Sequence, residues 1–255
     1  MTARGAIYPD LAGKSVIVTG GAQGIGASIV AAFARQKSKV GFIDIAEAPA
    51  EELACKLAGE ASFVHYAIAD VRDIPALKAA IELLTERLGH ADILINNAGH
   101  DERHATGSVT PEEFDERIAV NLRHTFFAAQ AVLPGMKMKG GGVIINFSSI
   151  SWMAGMGGMA VYTAAKSAML GLTRSLARDY GPHNIRVNAV APGWVRTERQ
   201  IKKWLTPEGD RKRLEAQCLK RWLEPEDIAR FVLFLSSEEA AACTAQHYVV
   251  DLGWV

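Results

Sequence analysis

The stretch "SSISWMAGMGGMAVYTAAK", residues 148–166, is mostly small and apolar, yet it carries Ser149, Tyr162 and Lys166. Buried polar groups cost free energy unless they are paired, so two hydroxyls and an amine here ask for a reason. Lys166 follows Tyr162 by four residues, and positions i and i+4 share one face of a helix. An ammonium then lies beside a phenol. Tyrosine titrates near ~10 and must fall by about three units, roughly 4 kcal/mol, to act as a base near neutral pH. A positive charge about 4 Å away supplies up to roughly that much at an effective dielectric near 20. Ser149 stands 13 residues before Tyr162, at the end of an apolar run. Its hydroxyl is placed to bond a substrate oxygen while Tyr162 takes a proton. The segment reads as a dry wall whose polar members face a bound molecule.

Something must position that wall. "SVIVTG" (15–20), "KVGFID" (39–44), "ASFVHYAI" (61–68), "ADILINN" (91–97), "GGVIINFSS" (141–149), "NIRVNAVAPG" (184–193) and "QHYVVDLG" (246–253) are short apolar runs. They predict seven strands, near-continuously apolar as strands covered on both faces are. Between them lie helical patterns at 26–37, 48–59, 74–89, 111–137 and 160–180. Strands separated by helices predict one doubly wound Rossmann-type α/β domain over 1–255: a seven-stranded parallel sheet with helices on both faces.

The first strand runs into "TGGAQGIG", with Gly20, Gly24 and Gly26 in a strand-to-helix turn. Glycines there allow a tight turn and close approach to a pyrophosphate, which the N–H groups of the following helix would bind. A plain tight turn is the alternative, but the strand–turn–helix context favours the nucleotide. The second strand ends in Asp44, 18 residues after Gly26. A carboxylate there accepts from both adenosine ribose hydroxyls and repels a 2′-phosphate, so NAD is expected, with NADP left open. Asp70 in "IADV" is placed to bond the adenine amino group, and the small residues of "NNAG" (96–99) let the chain pass a flat ribose and ring. Each also reads as strand-end punctuation.

Lys+Arg and Asp+Glu both number 28 in 255 residues, 49% of them hydrophobic. A zero net charge argues against nucleic acid as the main partner. No uncharged apolar run is long enough to span a bilayer, and "MTARGAIYPDLAGK" has no secretory h-region, so a cytoplasmic protein is expected. Cys55, Cys218 and Cys243 are scattered and odd in number, fitting neither a disulfide framework nor a zinc site; buried spectators and no metal are expected.

With "TGGAQGIG", "NNAG", Ser149, "YTAAK" and "PGWVRT" present in order over essentially the whole chain, the sequence resembles the short-chain dehydrogenase/reductase superfamily. The resemblance implies a catalytic tetrad of Asn121, Ser149, Tyr162 and Lys166, in which Asn121 kinks its helix and holds a proton-relaying water. Read alone, Asn121 is an ordinary helix-surface asparagine. The resemblance also implies cofactor contacts at Gly20, Gln23, Gly24, Ile25, Gly26, Asp44, Asp70, Val71, Asn97, Ala98, Gly99, Tyr162, Lys166, Pro192, Gly193, Val195 and Thr197. Oxidised nicotinamide would add a second positive charge near Tyr162.

"NNAGHDERH", "VNLRHTFF", "QCLKR" and "CTAQHYVVDLGW" are narrower, and look like bacterial NAD(P)-dependent aldose 1-dehydrogenases. That implies oxidation of a cyclic aldose, a pentose or 6-deoxyhexose such as L-fucose, to its lactone. A sugar needs polar partners where an acyl or steroid pocket needs apolar walls. Asp101, Glu102, Arg103 and His104 after "NNAG", and Ser151 and Trp152 after Ser149, are the candidates, Trp152 to stack on the ring; a solvated loop and a core tryptophan are the alternatives. Residues 195–221 carry nine Lys/Arg against four Asp/Glu and read as a lid whose charge suits an anionic dinucleotide. Trp194, Gln200 or Trp204 could reach the sugar from it. A ketone-directed carbonyl reductase, such as one acting on a 3-oxoacyl thioester, is the rival enzyme. A non-catalytic dinucleotide sensor is the other rival, opposed by the intact tetrad. The apolar residues Phe126, Phe127, Ala128, Ala131 and Val132 of one helix, and Ala164, Ala168, Met169, Leu172 and Leu176 of the other, exceed what one sheet contact can use. A homotetramer is expected, with the family's two-helix interface and an apolar tail "VVDLGWV" in a second one.

Overall fold

A computed structural model describes residues 5–58 and 63–255. Seven strands form it: β1 (Ser15–Thr19), β2 (Lys39–Asp44), β3 (Val64–Ile68), β4 (Ile93–Asn96), β5 (Gly142–Phe147), β6 (Ile185–Pro192) and β7 (His247–Val250). All pair in parallel, in the order β3-β2-β1-β4-β5-β6-β7. The order reverses between β1 and β4, which leaves a crevice at the carboxyl ends of the strands where ligands bind in such sheets. Thr19 pairs with Asn96 and Asn96 with Asn146, so β1, β4 and β5 end level and deliver Gly20, Asn97 and Ser148 to one rim.

Side-chain alternation splits the core into two layers. Val16 and Val18 of β1 join Phe33 of α1 (Gly24–Arg35), Phe42, and Val232 and Leu235 of α9 (Pro225–Ser236). Ile17 joins the other layer with Leu84 of α3 (Ile74–Leu88), Leu94, Val132 of α5 (His124–Lys139) and Leu176 of α6 (Ala160–Tyr180). Each fully buried side chain of this size contributes about 1.5–3 kcal/mol. The remaining helices are α2 (Glu47–Ala58), α4 (Pro111–Ile118), α7 (Glu198–Trp204) and α8 (Pro207–Ala216).

The doubly wound parallel sheet is as expected, but details differ. Helix α9 was not expected, although Glu224 and Asp227 form a capping box around Pro225. Of the expected strand 61–68, residues 61 and 62 lie outside the described residues, and β3 begins at Val64. The long helix 111–137 is interrupted by a π-helical turn, Ala119–Arg123. Cys55 and Cys218 are exposed rather than buried, and Cys243 is half-buried. No helix among the described residues is long and apolar enough to cross a membrane.

Candidate active site

The glycine turn leaves β1 and starts α1. Gly20 and Gly24 hold left-handed backbone, φ 66° and 56°. A Cβ on Gly26 would stand 1.9 Å from the Gly20 carbonyl oxygen, so only glycine lets helix and strand pack this closely. Gln23 is the N-cap of α1 and makes no side-chain cap bond, so no capping side chain takes up the first helical N–H groups, the kind of site that suits an anion. Ile25 packs on the core beside it.

Asp44 ends β2, and its two oxygens accept from the N–H groups of Ala22 (2.9 Å) and Ala46 (3.0 Å). The carboxylate is therefore fixed at the turn's edge. Asp70 has a partner within its own turn. Arg72 grips both its oxygens through Nε and Nη2 at 2.6–3.0 Å, and the Arg72 amide adds another bond. The pair holds the Asp70 carboxyl below its ordinary range, mainly through the Arg72 hydrogen bonds. Its two oxygens are both engaged by Arg72, and Val71 beside it is buried.

Asn97 is tied to the glycine turn. Its Nδ2 donates to the carbonyls of Thr19 (3.1 Å) and Gly20 (2.8 Å), and Ala98 N–H donates to Thr19 Oγ1. These residues brace the glycine turn from β4. Gly99 is small for a different reason: a Cβ would meet Asn121 Oδ1 at 2.8 Å and Lys166 Nζ at 3.2 Å. On the far side, a Cβ on Gly193 would press on Asp251 at 2.8 Å. Pro192 ends β6, Val195 is buried, and Thr197 caps α7 by accepting from Gln200 N–H. The Thr197 methyl lies over Gly24, closing the groove from the lid side.

The tetrad converges. Asn121 sits in the π turn, a feature frequent at functional sites. Its Oδ1 accepts from His100 N–H (3.0 Å), and its Nδ2 donates to the Arg117 carbonyl (3.0 Å). Lys166 is 4% exposed, and its Nζ donates to the Phe147 carbonyl at 2.9 Å. That Nζ lies 5.8 Å from the Tyr162 ring centroid. Burial pushes the phenol up to about 12, against a hydrogen-bond contact with Ser149 that pulls it down. Burial pulls Lys166 down to about 8. Desolvation is the largest influence on the phenol, so the charge expected from an oxidised nicotinamide counts beside that of Lys166.

The substrate-side candidates split. Asp101 Oδ1 accepts from Arg199 at 2.5 Å and Oδ2 from Gln200 Nε2 at 2.8 Å. Burial alone would raise the Asp101 carboxyl, but these bonds and the Arg199 charge hold it below its usual range. The charges of Asp101 and Arg199 are both felt at Tyr162. The Arg103 guanidinium lies 4.7 Å over the Trp204 ring. His104 Nε2 accepts from Val161 N–H, beside Tyr162. Ser151 and Trp152 instead line a pocket of about 290 Å³ with Ala160, Thr163, Ala164 and Ser167, on a face of α6 turned away from Tyr162 and Lys166. The Trp152 N–H donates to Ser148 Oγ, and its ring packs 5.9 Å from His247. The ring-stacking role expected of Trp152 does not fit that placement.

Reading the sequence missed Arg199 and His124. Two acids at 101–102 against the cations at 199 and 203 were a usable signal for the first. His124 is fully buried one turn past Asn121; burial, with the Lys166 charge, pulls it down to about 3. The surplus charge of 195–221 is also not free for a dinucleotide. Arg196 pairs with Glu224, Arg199 and Lys203 with the 101–102 loop, Arg221 with Asp227, and Lys202, Arg211, Lys212 and Arg213 with acids of their own helices. Lys220 caps backbone carbonyls.

A family model described as enoyl-(acyl carrier protein) reductase matches residues 20–255. D-xylose 1-dehydrogenase of Caulobacter vibrioides is 49% identical over 249 residues, 98% of each chain. The chain belongs to the short-chain dehydrogenase/reductase family. Within this family the probable galactose dehydrogenase GalD of Rhizobium meliloti is 46% identical over 99% of each chain. A solved 7α-hydroxysteroid dehydrogenase, complexed with NADH and 7-oxo glycochenodeoxycholic acid, superposes with a TM-score of 0.92 at 32% identity and 96% coverage of both chains. Short-chain dehydrogenase/reductase enzymes are NAD(P)-dependent oxidoreductases, and this chain is one of them.

Proposed function

We propose that the enzyme oxidises C1 of a cyclic aldose to an aldonolactone, with NAD as the preferred acceptor. The observation that carries this reading is the charged, hydrogen-bonding wall that Arg199 and Gln200 form with Asp101, on the loop that His104 ties to Val161, next to Tyr162. Such a wall suits a polyhydroxylated ring and ill suits an acyl chain or steroid. The names of the relatives at 49% and 46% identity point the same way. A pentose is favoured, with galactose and L-fucose next.

The glycine cradle, the free start of α1 and Asp44 fit a dinucleotide. Bound, it supplies a hydride acceptor and a positive charge beside the phenol. Tyr162, once ionised, takes the C1 hydroxyl proton while Ser149 holds that oxygen. Lys166 stabilises the phenolate, and Asn121 fixes the turn behind it. C1 loses its hydrogen as hydride, C1–O becomes a carbonyl, and the ring oxygen makes the product an ester. Gly20, Gln23, Gly24, Ile25 and Gly26 would carry the pyrophosphate, with Val195 and Thr197 toward the carboxamide. Initial rates with D-xylose, L-arabinose, D-galactose and L-fucose, against ketones in the reverse direction, test the reading. Turnover of ketones alone would favour a carbonyl reductase, and no turnover at all a sensor.

Asp44→Ala should raise the NADP:NAD ratio of kcat/KM by about tenfold or more, because like charges set side by side cost several kcal/mol. The check is kcat/KM with both cofactors. A wild type that already prefers NADP strongly would contradict the role given to Asp44.

We further propose a cytoplasmic homotetramer. Ala128, Val132, Met169 and Leu176 are buried within one chain, whereas Phe126, Ala164 and Ala168 of the same helices are exposed. The tail ends in a half-buried Trp254 and an exposed Val255. A closed symmetric assembly would cover these faces. Light scattering should give four times 27.5 kDa; a fully active monomer would contradict it.

A further inference from the structure

Helix α7 has seven residues and no buried side chain. A helix this short is not stable on its own, and no apolar face ties it down. What holds it is polar: Trp194 Nε1 donates to Gln200 Oε1 at 2.9 Å, and the other contacts come from the loop after β4. Arg199 reaches Asp101 at 2.5 Å and Glu102 at 3.0 Å. Lys203 reaches Glu102 at 3.0 Å, Gln200 reaches Asp101, and Trp204 lies under Arg103. The next helix is anchored differently. Arg213 of α8 is 1% exposed, stacks 3.7 Å over Trp222, and bonds Asp210, Gln217 and the Arg221 carbonyl. Within residues 195–221, α8 is therefore fixed and α7 is the part free to lift. We propose that Arg199 is a positioning residue for the reaction: by bridging Asp101 and Glu102 it clasps α7 shut over the Tyr162 side of the cleft.

The chemistry suits a clasp. Exposed ion pairs are individually weak and screened by salt, so several of them hold a lid that still opens. Asp101, with a side chain only 16% exposed, is the fixed half. Thr197, at the head of α7, lies over Gly24, so the clasp closes substrate and cofactor sides together. An aldose carries no charge. With cofactor saturating, salt cannot steer the sugar, and any salt dependence of its kcat/KM reports charges within the protein.

The kinetic arm of the test rests on the aldose reading; the exchange arm does not. At saturating NAD the wild-type kcat/KM for the aldose should fall as NaCl rises. Arg199→Gln should lower it by about tenfold, mostly through KM, and flatten the salt dependence. Arg199→Lys should recover part of the loss. Lys202→Gln, which removes a pair within α7 itself, should change neither. By hydrogen exchange with NAD bound, Arg199→Gln should lose protection over residues 198–204 and keep it in the sheet. If no aldose turns over but that protection is lost, the aldose reading falls and the clasp stands. Unchanged exchange, or an unchanged KM and salt profile in an enzyme that does oxidise aldoses, overturns the clasp.

Discussion

Tyr162→Phe should remove turnover by at least ~10², since a positioned acid–base group contributes that much or more. Cofactor affinity should change little. The substitution deletes one oxygen and keeps the ring beside Lys166. It also leaves the Gly20–Gly26 cradle, Asp44 and Thr197 in place. Single-turnover rates separate this from a binding defect, and cofactor titration by fluorescence supplies the second half. Normal turnover in Tyr162→Phe would remove the phenol from the mechanism.

Lys166→Met should move the pH profile. The base works only when ionised, so kcat/KM rises with pH as Tyr162 loses its proton. Removing a nearby positive charge destabilises the phenolate, so the rising limb shifts to higher pH. For a positive charge about 5 Å from the phenolate at an effective dielectric near 20, the lost attraction is about 3 kcal/mol, or about two pH units. The loss at pH 7 should therefore be about 10², with most of the rate regained above pH 9. Cofactor KM should rise as well. The Phe147 carbonyl also loses its buried donor, costing about 1–3 kcal/mol of stability. A limb at the wild-type position would contradict the electrostatic role of Lys166.

The parts of this protein legible in its sequence are those governed by local rules. The seven strands could be read because each is a continuous apolar run covered on both faces, and the glycine turn because Gly20, Gly24 and Gly26 stand between a strand and a helix. Tyr162 and Lys166 share a helix face whatever surrounds them. Non-local partners were not legible. That Asn97 braces the turn could not be read, because it depends on β4 lying next to β1, a pairing that no run of residues announces. The Asp70–Arg72 pair could not be read, because the chain does not state that Arg72 folds back on it. Trp152 looked like a sugar platform until the turn after Ser149 directed it to His247. The desolvation of Tyr162 was not legible for the same reason. Charge can be counted in a sequence, whereas desolvation belongs to the assembled cleft.

The central claim is that hydride leaves C1 of an aldose while Tyr162 takes the hydroxyl proton. The most direct measurement uses an aldose deuterated at C1. Turnover with NAD at saturating cofactor should place the deuterium on the reduced nicotinamide, release one lactone for each cofactor reduced, and show a primary isotope effect on single-turnover rates. An aldose oxidised with deuterium retained in the sugar product, or a nicotinamide reduced without label, would contradict the account.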